Sequence, residues 1–508
     1  MKTCHCEASA NLNNGKCDNV HHIEALNGRA AAFEAMGDLD RATHDAERIL
    51  VLAPELPDGY LRLGNIAQLQ KNGDFAWEIY TMGIEAVKET TTDLSPKLQS
   101  MLTLLLDKSP CLEYLKIKYL QDEIVFHTNG KTWNRLRYFS FGAGCLGPLL
   151  QFRVDEPGGF PCSFLQDAAS SLQHLDFVGI PVEWYDSEPF IPFLPKLKTL
   201  RINGTVSEWS EEELKLLFPI YPLSVAFPRL EQLCIGPEIP YFDPEPVSMW
   251  RDKREDIWPH LKVLIFEVHN FEEPSFETAR TRSALRCLTC INRGNSLQHI
   301  ALDFHQGWPD MDIFSGSDDL LPDFDIVQDS EFKNLRSFKS TSLSISPEGA
   351  RNLLSKAIQT NQLTSFDIVF PTYYDDSPLE ARHVDHLRGY DWARGAPSIQ
   401  SLGCYGLRLH PPPNNDQDHL VCFLATFPNL RTLSIECKWD DIADYVSLLG
   451  KILRQTHLET MYMQLVDNEA CVPLERAARD RGVRLMELSD RFVRQYAYSR
   501  EWPVSLGE

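Results

Sequence analysis

The side chains best equipped for chemistry are the sulfur and imidazole groups near the start of the chain. Cys4-x-Cys6, Cys17 and the pair His21-His22 provide enough soft donors for a tetrahedral zinc site, which takes thiolate and imidazole ligands. A second pair, Cys287-x-x-Cys290, has no companion pair nearby, and its i, i+3 spacing is that of small apolar thiols packed on a helix. His383 and His386, on either side of Asp385, read as surface residues of a loop or helix rather than as ligands. Asn129-Gly130-Lys131-Thr132 ends like a phosphate loop, but Val125 stands where a glycine is required, so a backbone cradle cannot form. The chain contains no G-x-S-x-G or H-E-x-x-H, the spacings that place a nucleophile or a metal. Acid pairs such as Asp318-Asp319 and Asp375-Asp376 are solvated loops in a chain with this acidic excess. The sequence assigns no catalytic residue, no metal and no cofactor. A zinc-binding protein acting through the N-terminal Cys/His cluster is the alternative of another class.

Charge narrows the partners. With 49 Lys and Arg against 72 Asp and Glu, the formal charge is −23, which opposes any phosphate backbone needing clustered cations. Nucleic acid is therefore excluded as a partner. Apolar residues make up 43% and aromatics 10% of the 508 positions, enough for a packed core. The longest apolar runs, such as Leu104-Leu105-Leu106, fall far short of a membrane span. Met1 to Gly15 has no apolar signal region, and thirteen cysteines without framework spacing read as reduced thiols. The expectation is an unsecreted protein of the cytoplasm or nucleus with no membrane partner.

What must position any functional surface is a pair of repeat patterns. In residues 23–88, small and bulky positions recur thirty-four apart: Leu26 with Tyr60, Ala30 with Gly64, Phe33 with Ala67, Ala42 with Ala76. Pro54 closes the first unit, Lys88 stands where the second should close, and Gly37-Asp38 and Gly73-Asp74 mark the turns inside each. Paired antiparallel helices need small residues where their backbones approach most closely. This pattern resembles tetratricopeptide repeats.

Across residues 111–490 a different rule holds, L-x-x-L-x-L. It starts at Leu112, Leu136, Leu172, Leu197, Leu230, Leu261, Leu297, Leu335, Leu363, Ile399, Leu430, Leu458 and Val483, an average step of about 31 residues, within the range of one strand plus one helix or loop per repeat. The eighth unit is weakest, with Ser340 where an apolar residue belongs. Several starts follow a proline, as in Phe227-Pro228-Arg229-Leu230, Trp258-Pro259-His260-Leu261 and Phe427-Pro428-Asn429-Leu430. This resembles an irregular leucine-rich-repeat solenoid. The fold class is thus an α/β solenoid: a short all-α tetratricopeptide-like region, then leucine-rich repeats. The organisation is a tail at 1–22, helical repeats at 23–88, a linker at 89–110, repeats at 111–490 and a tail at 491–508. A doubly wound sheet is the competing fold, but thirteen strands exceed what open sheets usually hold.

Side chains alternate along a strand, so the first, fourth and sixth motif positions are buried and the third, fifth and seventh face outward. The outward set includes Tyr114, Lys116, Tyr138, His174, Asp176, Arg201, Gln232, Glu267, His299, Asp303, Lys339, Asp367, Tyr405, Glu436 and Tyr462. This mixture of aromatic, amide and both charges suits a protein partner.

Helical repeats followed by leucine-rich units with F-P-x-L starts resemble the fungal F-box proteins carrying both repeat types. The phrases carrying the likeness are Gly59-Tyr60-Leu61-Arg62-Leu63-Gly64, Ala76-Trp77-Glu78-Ile79-Tyr80 with Gly83, and Phe427-Pro428-Asn429-Leu430-Arg431-Thr432-Leu433. The resemblance implies a non-enzymatic substrate-recognition subunit of an SCF-type ubiquitin ligase, holding a protein substrate on the leucine-rich face and the ligase adaptor through an F-box. The sequence departs from that pattern at residues 89–110, which are too few for a three-helix F-box. A repeat scaffold with no ubiquitin link is the alternative.

Overall fold

The computed structural model describes residues 20–86, 102–104, 106, 109, 111–120, 132–143, 154–155, 159–185, 190–203, 218–236, 257–268, 291, 296–304, 332–341, 345–370, 379–409, 416–439, 442–464, 471–488 and 502–506. The chain divides into two compact units, the first reaching essentially to Leu172 and the second running from Gln173 onward.

The first unit opens with four helices: α1 (Val20–Ala35), α2 (Leu39–Leu52), α3 (Pro57–Leu69) and α4 (Gly73–Ala86). Ala30 and Ala42, predicted at the closest approach of α1 and α2, are fully buried. Ile23, Leu26, Ile49, Leu52 and Ala53 form the core of that pair. Gly37, at φ 76°, ends α1 in the left-handed region, and Asp38 caps α2 by accepting the Arg41 N–H, as glycine and aspartate do at such turns. The second turn is not at Gly73-Asp74, which open α4. It lies at Lys71, with φ 60°, and at Asn72, whose Oδ1 accepts the Phe75 N–H. Lys71 and Asn72 stand thirty-four residues after Gly37 and Asp38, so the period holds. A lysine in the left-handed region concealed the turn. Between α3 and α4, a Cβ on Gly64 would overlap the ring of Tyr80. Lys88 lies outside the described residues.

Polar side chains tie these helices at defined points. Arg29 of α1 donates through Nε and Nη2 to the two carboxylate oxygens of buried Asp45 in α2, each at 2.7 Å. The Asp45 carboxyl titrates below its ordinary range chiefly because of that guanidinium. Arg62 of α3 donates to Glu34 at 2.6 Å and to Asn27 at 3.0 Å.

The first unit also carries the parallel pair β1 (Tyr114–Leu120) and β2 (Tyr138–Ala143), with α5 (Cys162–Ala168). Phe164 of α5 packs on Phe139 of β2 and on Trp133. The second unit holds β3 (His174–Val178), β4 (Thr199–Asn203), α6 (Ile220–Ala226), β5 (Gln232–Gly236), β6 (Val263–Val268), β7 (His299–Phe304), β8 (Ser337–Lys339), α7 (Pro347–Gln359), β9 (Ser365–Val369), α8 (Leu379–Arg388), β10 (Ser401–Leu409), α9 (Asp416–Leu424), β11 (Thr432–Trp439), α10 (Ile442–Gln455), β12 (Thr460–Met463), α11 (Val472–Arg481) and β13 (Arg484–Glu487). The described residues hold thirteen strands, and within each unit neighbours in sequence are neighbours in the sheet and run parallel. The architecture is α/β with a long parallel sheet.

Twelve of the thirteen strands begin two residues after a predicted motif start, so the register is common to all of them. The first, fourth and sixth positions are buried in strand after strand, as with Leu197, Leu200 and Ile202 or Leu430, Leu433 and Ile435. The proline phrases prove to be turns. The N–H of Leu230, Leu261 and Leu430 bonds the carbonyl of Phe227, Trp258 and Phe427 three residues earlier, with proline at the second place, where its fixed φ suits the turn. The aromatic that opens each turn is buried.

Two units depart from the motif. Just past the end of β8, Ser340 replaces an apolar residue yet is 1% exposed. Its Oγ donates to the Leu302 carbonyl at 2.7 Å while its N–H donates to Asp367 at 3.0 Å. In the last unit the expected start at Val483 is one residue late: Arg484 pairs with Thr460, and Leu485 with Met461. Met486, expected inside, is therefore 45% exposed and stands opposite Tyr462, since a one-residue shift exchanges the two faces of a strand.

Candidate functional site

The candidate site is the sheet face made by the third, fifth and seventh motif positions. In the first unit, Tyr114 and Tyr138 are in-register partners whose rings stack at 4.2 Å with planes 6° apart. Tyr114 is half-exposed, and Lys116 beside it is exposed.

In the second unit the face changes character along the strand order. On β3 and β4 it is a cross-strand network, the pairing that stabilises adjacent strands. His174 Nδ1 lies 2.8 Å from Thr199 Oγ1, Asn203 Nδ2 donates to Asp176 at 2.8 Å, and Arg201 Nε donates to Asn203 Oδ1 at 3.2 Å. Burial lowers the His174 pKa, with Lys198 adding to the effect, which keeps this imidazole neutral at pH 7. His299 on β7 is likewise depressed, first by burial and then by Arg336 and Lys339.

Further along, Lys339 is exposed on β8 and Asp367 is half-buried on β9. Gly403 of β10 lies between Asp367 and Tyr405, and a Cβ there would collide with both side chains; glycine is what this close approach requires. Gly406, at φ 73°, sits where the pairing of β10 with β11 slips, the local signature of a bulge. Tyr462 of β12 and Met486 of β13 close the described face, both partly exposed.

The predicted face residues fall into three groups. Tyr114, Lys116, Tyr138, His174, Asp176, His299, Lys339, Asp367 and Tyr462 stand on the outward face with exposed or half-buried side chains. Arg201, Gln232, Tyr405 and Glu436 occupy outward positions but are buried: Arg201 engages Asn203, Gln232 is covered by residues 502–506, and Tyr405 is flanked by the close-packed Gly403. Glu267 and Asp303 are paired in register in β6 and β7, and their side chains lie outside the described residues.

Sequence reasoning missed a stretch of this face. Cys234, Val263, Ile265 and Ala301 take third or fifth positions on β5, β6 and β7, and all four are buried beneath Trp502, Val504 and Leu506. The signal was four apolar residues at outward places, together with an aromatic-x-aliphatic-x-aliphatic phrase after the last repeat.

The chemistry-bearing clusters fare differently. Cys4, Cys6, Cys17, Cys287 and Cys290 lie outside the described residues, as do the acid pairs Asp318-Asp319 and Asp375-Asp376. Among the described residues no group of three or more His, Cys, Asp or Glu converges to hold a metal ion. His383 and His386 are not surface residues. His383 is buried, and both imidazoles pack on Phe370 at 5.3 and 5.7 Å. Burial and the neighbouring His383 pull the His386 pKa down to about 4. The helical pattern of α8 turns these two residues inward, which their polar neighbours in sequence concealed. No helix among the described residues is long and apolar enough to cross a membrane.

No protein-family model matches the chain, and no curated protein is significantly similar to it.

Proposed function

We propose that this chain is a non-enzymatic protein-binding module, a leucine-rich-repeat solenoid preceded by tetratricopeptide-like helices, working in the cytoplasm or nucleus. The observation that carries the reading is the sheet face. On strand after strand, in sequence order, outward positions hold aromatic, amide and oppositely charged side chains, with an apolar patch among them on β5–β7. Long repeat arrays offer extended surfaces of this kind to macromolecular partners, and the composition matches the rim and core of protein interfaces. The thirty-four-residue recurrence of helix turns supports the tetratricopeptide reading of α1–α4. By the family resemblance, the face holds a protein substrate for an SCF-type ubiquitin ligase whose chemistry resides in other subunits.

The ubiquitin link is tested by titrating purified ligase adaptor subunit against the full chain at micromolar concentration. Association supports the substrate-recognition role. If none is detected, the module is a scaffold without that link, and the binding face remains.

A further inference from the structure

Strands β5, β6 and β7 break the polar rule of the face. Their outward residues Cys234, Val263, Ile265 and Ala301 form a buried cluster, and Trp502, Val504 and Leu506 pack against it. These three are half-buried, whereas Pro503 and Ser505 between them are exposed, so alternate side chains of the segment are laid on the sheet face. Gln232 fixes the segment. Its Nε2 donates to the Val504 carbonyl at 3.0 Å and its Oε1 accepts the Val504 N–H at 2.9 Å. An amide that meets both backbone groups of one residue recognises main chain whatever the side chain. The apolar cluster then selects what stands on either side of it. Main-chain bonds for affinity and alternate side chains for specificity are how extended peptides are recognised.

We infer that the outward face of β5–β7 is a docking site for a segment of a partner protein bearing one aromatic and two aliphatic side chains at alternating positions. Residues 502–506 are its internal occupant, which the partner must displace. This inference rests on the reading of the sheet face as a protein-binding surface and names the segment that one part of it takes. The occupant is tethered to β13 by a short stretch of chain. A short tether gives an effective concentration on the order of millimolar, so a free segment of equal affinity competes poorly.

The test uses a fluorescent peptide of residues 501–508, Glu-Trp-Pro-Val-Ser-Leu-Gly-Glu, and two full-length chains, one unsubstituted and one carrying Trp502→Ser, Val504→Ser and Leu506→Ser. Fluorescence anisotropy should show the substituted chain binding the peptide at least about tenfold more tightly, because the tethered competitor is gone. Adding Gln232→Ala to the substituted chain should abolish that gain. Equal affinity for the two chains, or no binding to a substituted chain that still melts cooperatively, overturns the inference.

Hydrogen exchange on the unsubstituted chain avoids any question of folding. Saturating peptide should accelerate exchange at the Val504 amide, and an unchanged rate overturns displacement. If the peptide fails while partner capture still depends on Lys339 and Tyr462, this inference falls and the sheet-face reading stands. Capture that ignores every face position overturns the reading beneath it.

Discussion

Replacing Ser340 by isoleucine makes the eighth repeat look more like its neighbours, and we expect it to destabilise the protein. Ile202, Ile235, Ile368 and Ile435 hold the equivalent place in β4, β5, β9 and β11. In this repeat, however, β8 ends at Lys339, and the Ser340 hydroxyl serves the Leu302 carbonyl. Losing that donor at a 1% exposed site costs about 1–3 kcal/mol for the polar group left behind. Forcing three extra carbons into filled space costs about 1–3 kcal/mol more. Burial of the larger side chain returns about 1.5–3 kcal/mol. At the middle of these ranges the net is a loss of about 2 kcal/mol. Ser340→Ala, with neither the added bulk nor the added burial, should lose about 1–3 kcal/mol, and Ser340→Thr, which keeps a hydroxyl, should recover most of it. Urea unfolding followed by circular dichroism, with hydrogen exchange at β7–β9 to localise the effect, measures all three. An isoleucine variant more stable than the parent would refute the argument, because the hydroxyl would then contribute nothing the motif residue does not.

Leu200→Ala and Leu433→Ala remove fully buried side chains and should each cost about 2–5 kcal/mol in the same unfolding assay; a neutral result would mean the strand register is wrong. Gly64→Ala should lower the thermal stability of the helical region despite alanine's better helix propensity, because the added methyl meets the Tyr80 ring, and Tyr80→Leu should relieve much of that loss. His386, with its pKa lowered to about 4, makes stability fall with acid: above the unfolded value near 6.5 both states are neutral, and between there and 4 only the unfolded state takes up the proton. The loss should reach about 2 kcal/mol between pH 7 and pH 5, and a His386→Phe chain should show a flatter profile. Lys339→Glu and Tyr462→Ser, at exposed face positions, should weaken partner capture while shifting stability by under about 0.5 kcal/mol.

What was legible in the sequence was periodicity. The L-x-x-L-x-L phrases mark strands because burial of their three apolar places and the pleat of a strand are one constraint seen twice. The alanines and glycine of α1–α4 were legible for the same reason, since backbones can approach closely only over small side chains. Local chemistry hid the exceptions. Lys71 carries a left-handed turn that its residue type does not advertise. Met486 faces outward because pairing with β12, not its own phrase, sets the register of β13. His383 and His386 look exposed among charged neighbours, yet the turn of α8 aims them at Phe370. The covered patch on β5–β7 escaped because Val504, at the centre of its partner segment, lies 272 residues from Gln232 along the chain, and no short-range pattern joins such distant segments.

The central claim is that the outward sheet face binds a protein. It is tested most directly by placing a photo-crosslinking amino acid at Lys339, at Tyr462 or, as a control, at exposed Arg351 on α7, and irradiating each full-length chain in native extract. The two face positions should trap the same partner polypeptide, and Arg351 should not. Trapping from Arg351 alone, or equally from all three positions, would contradict the claim.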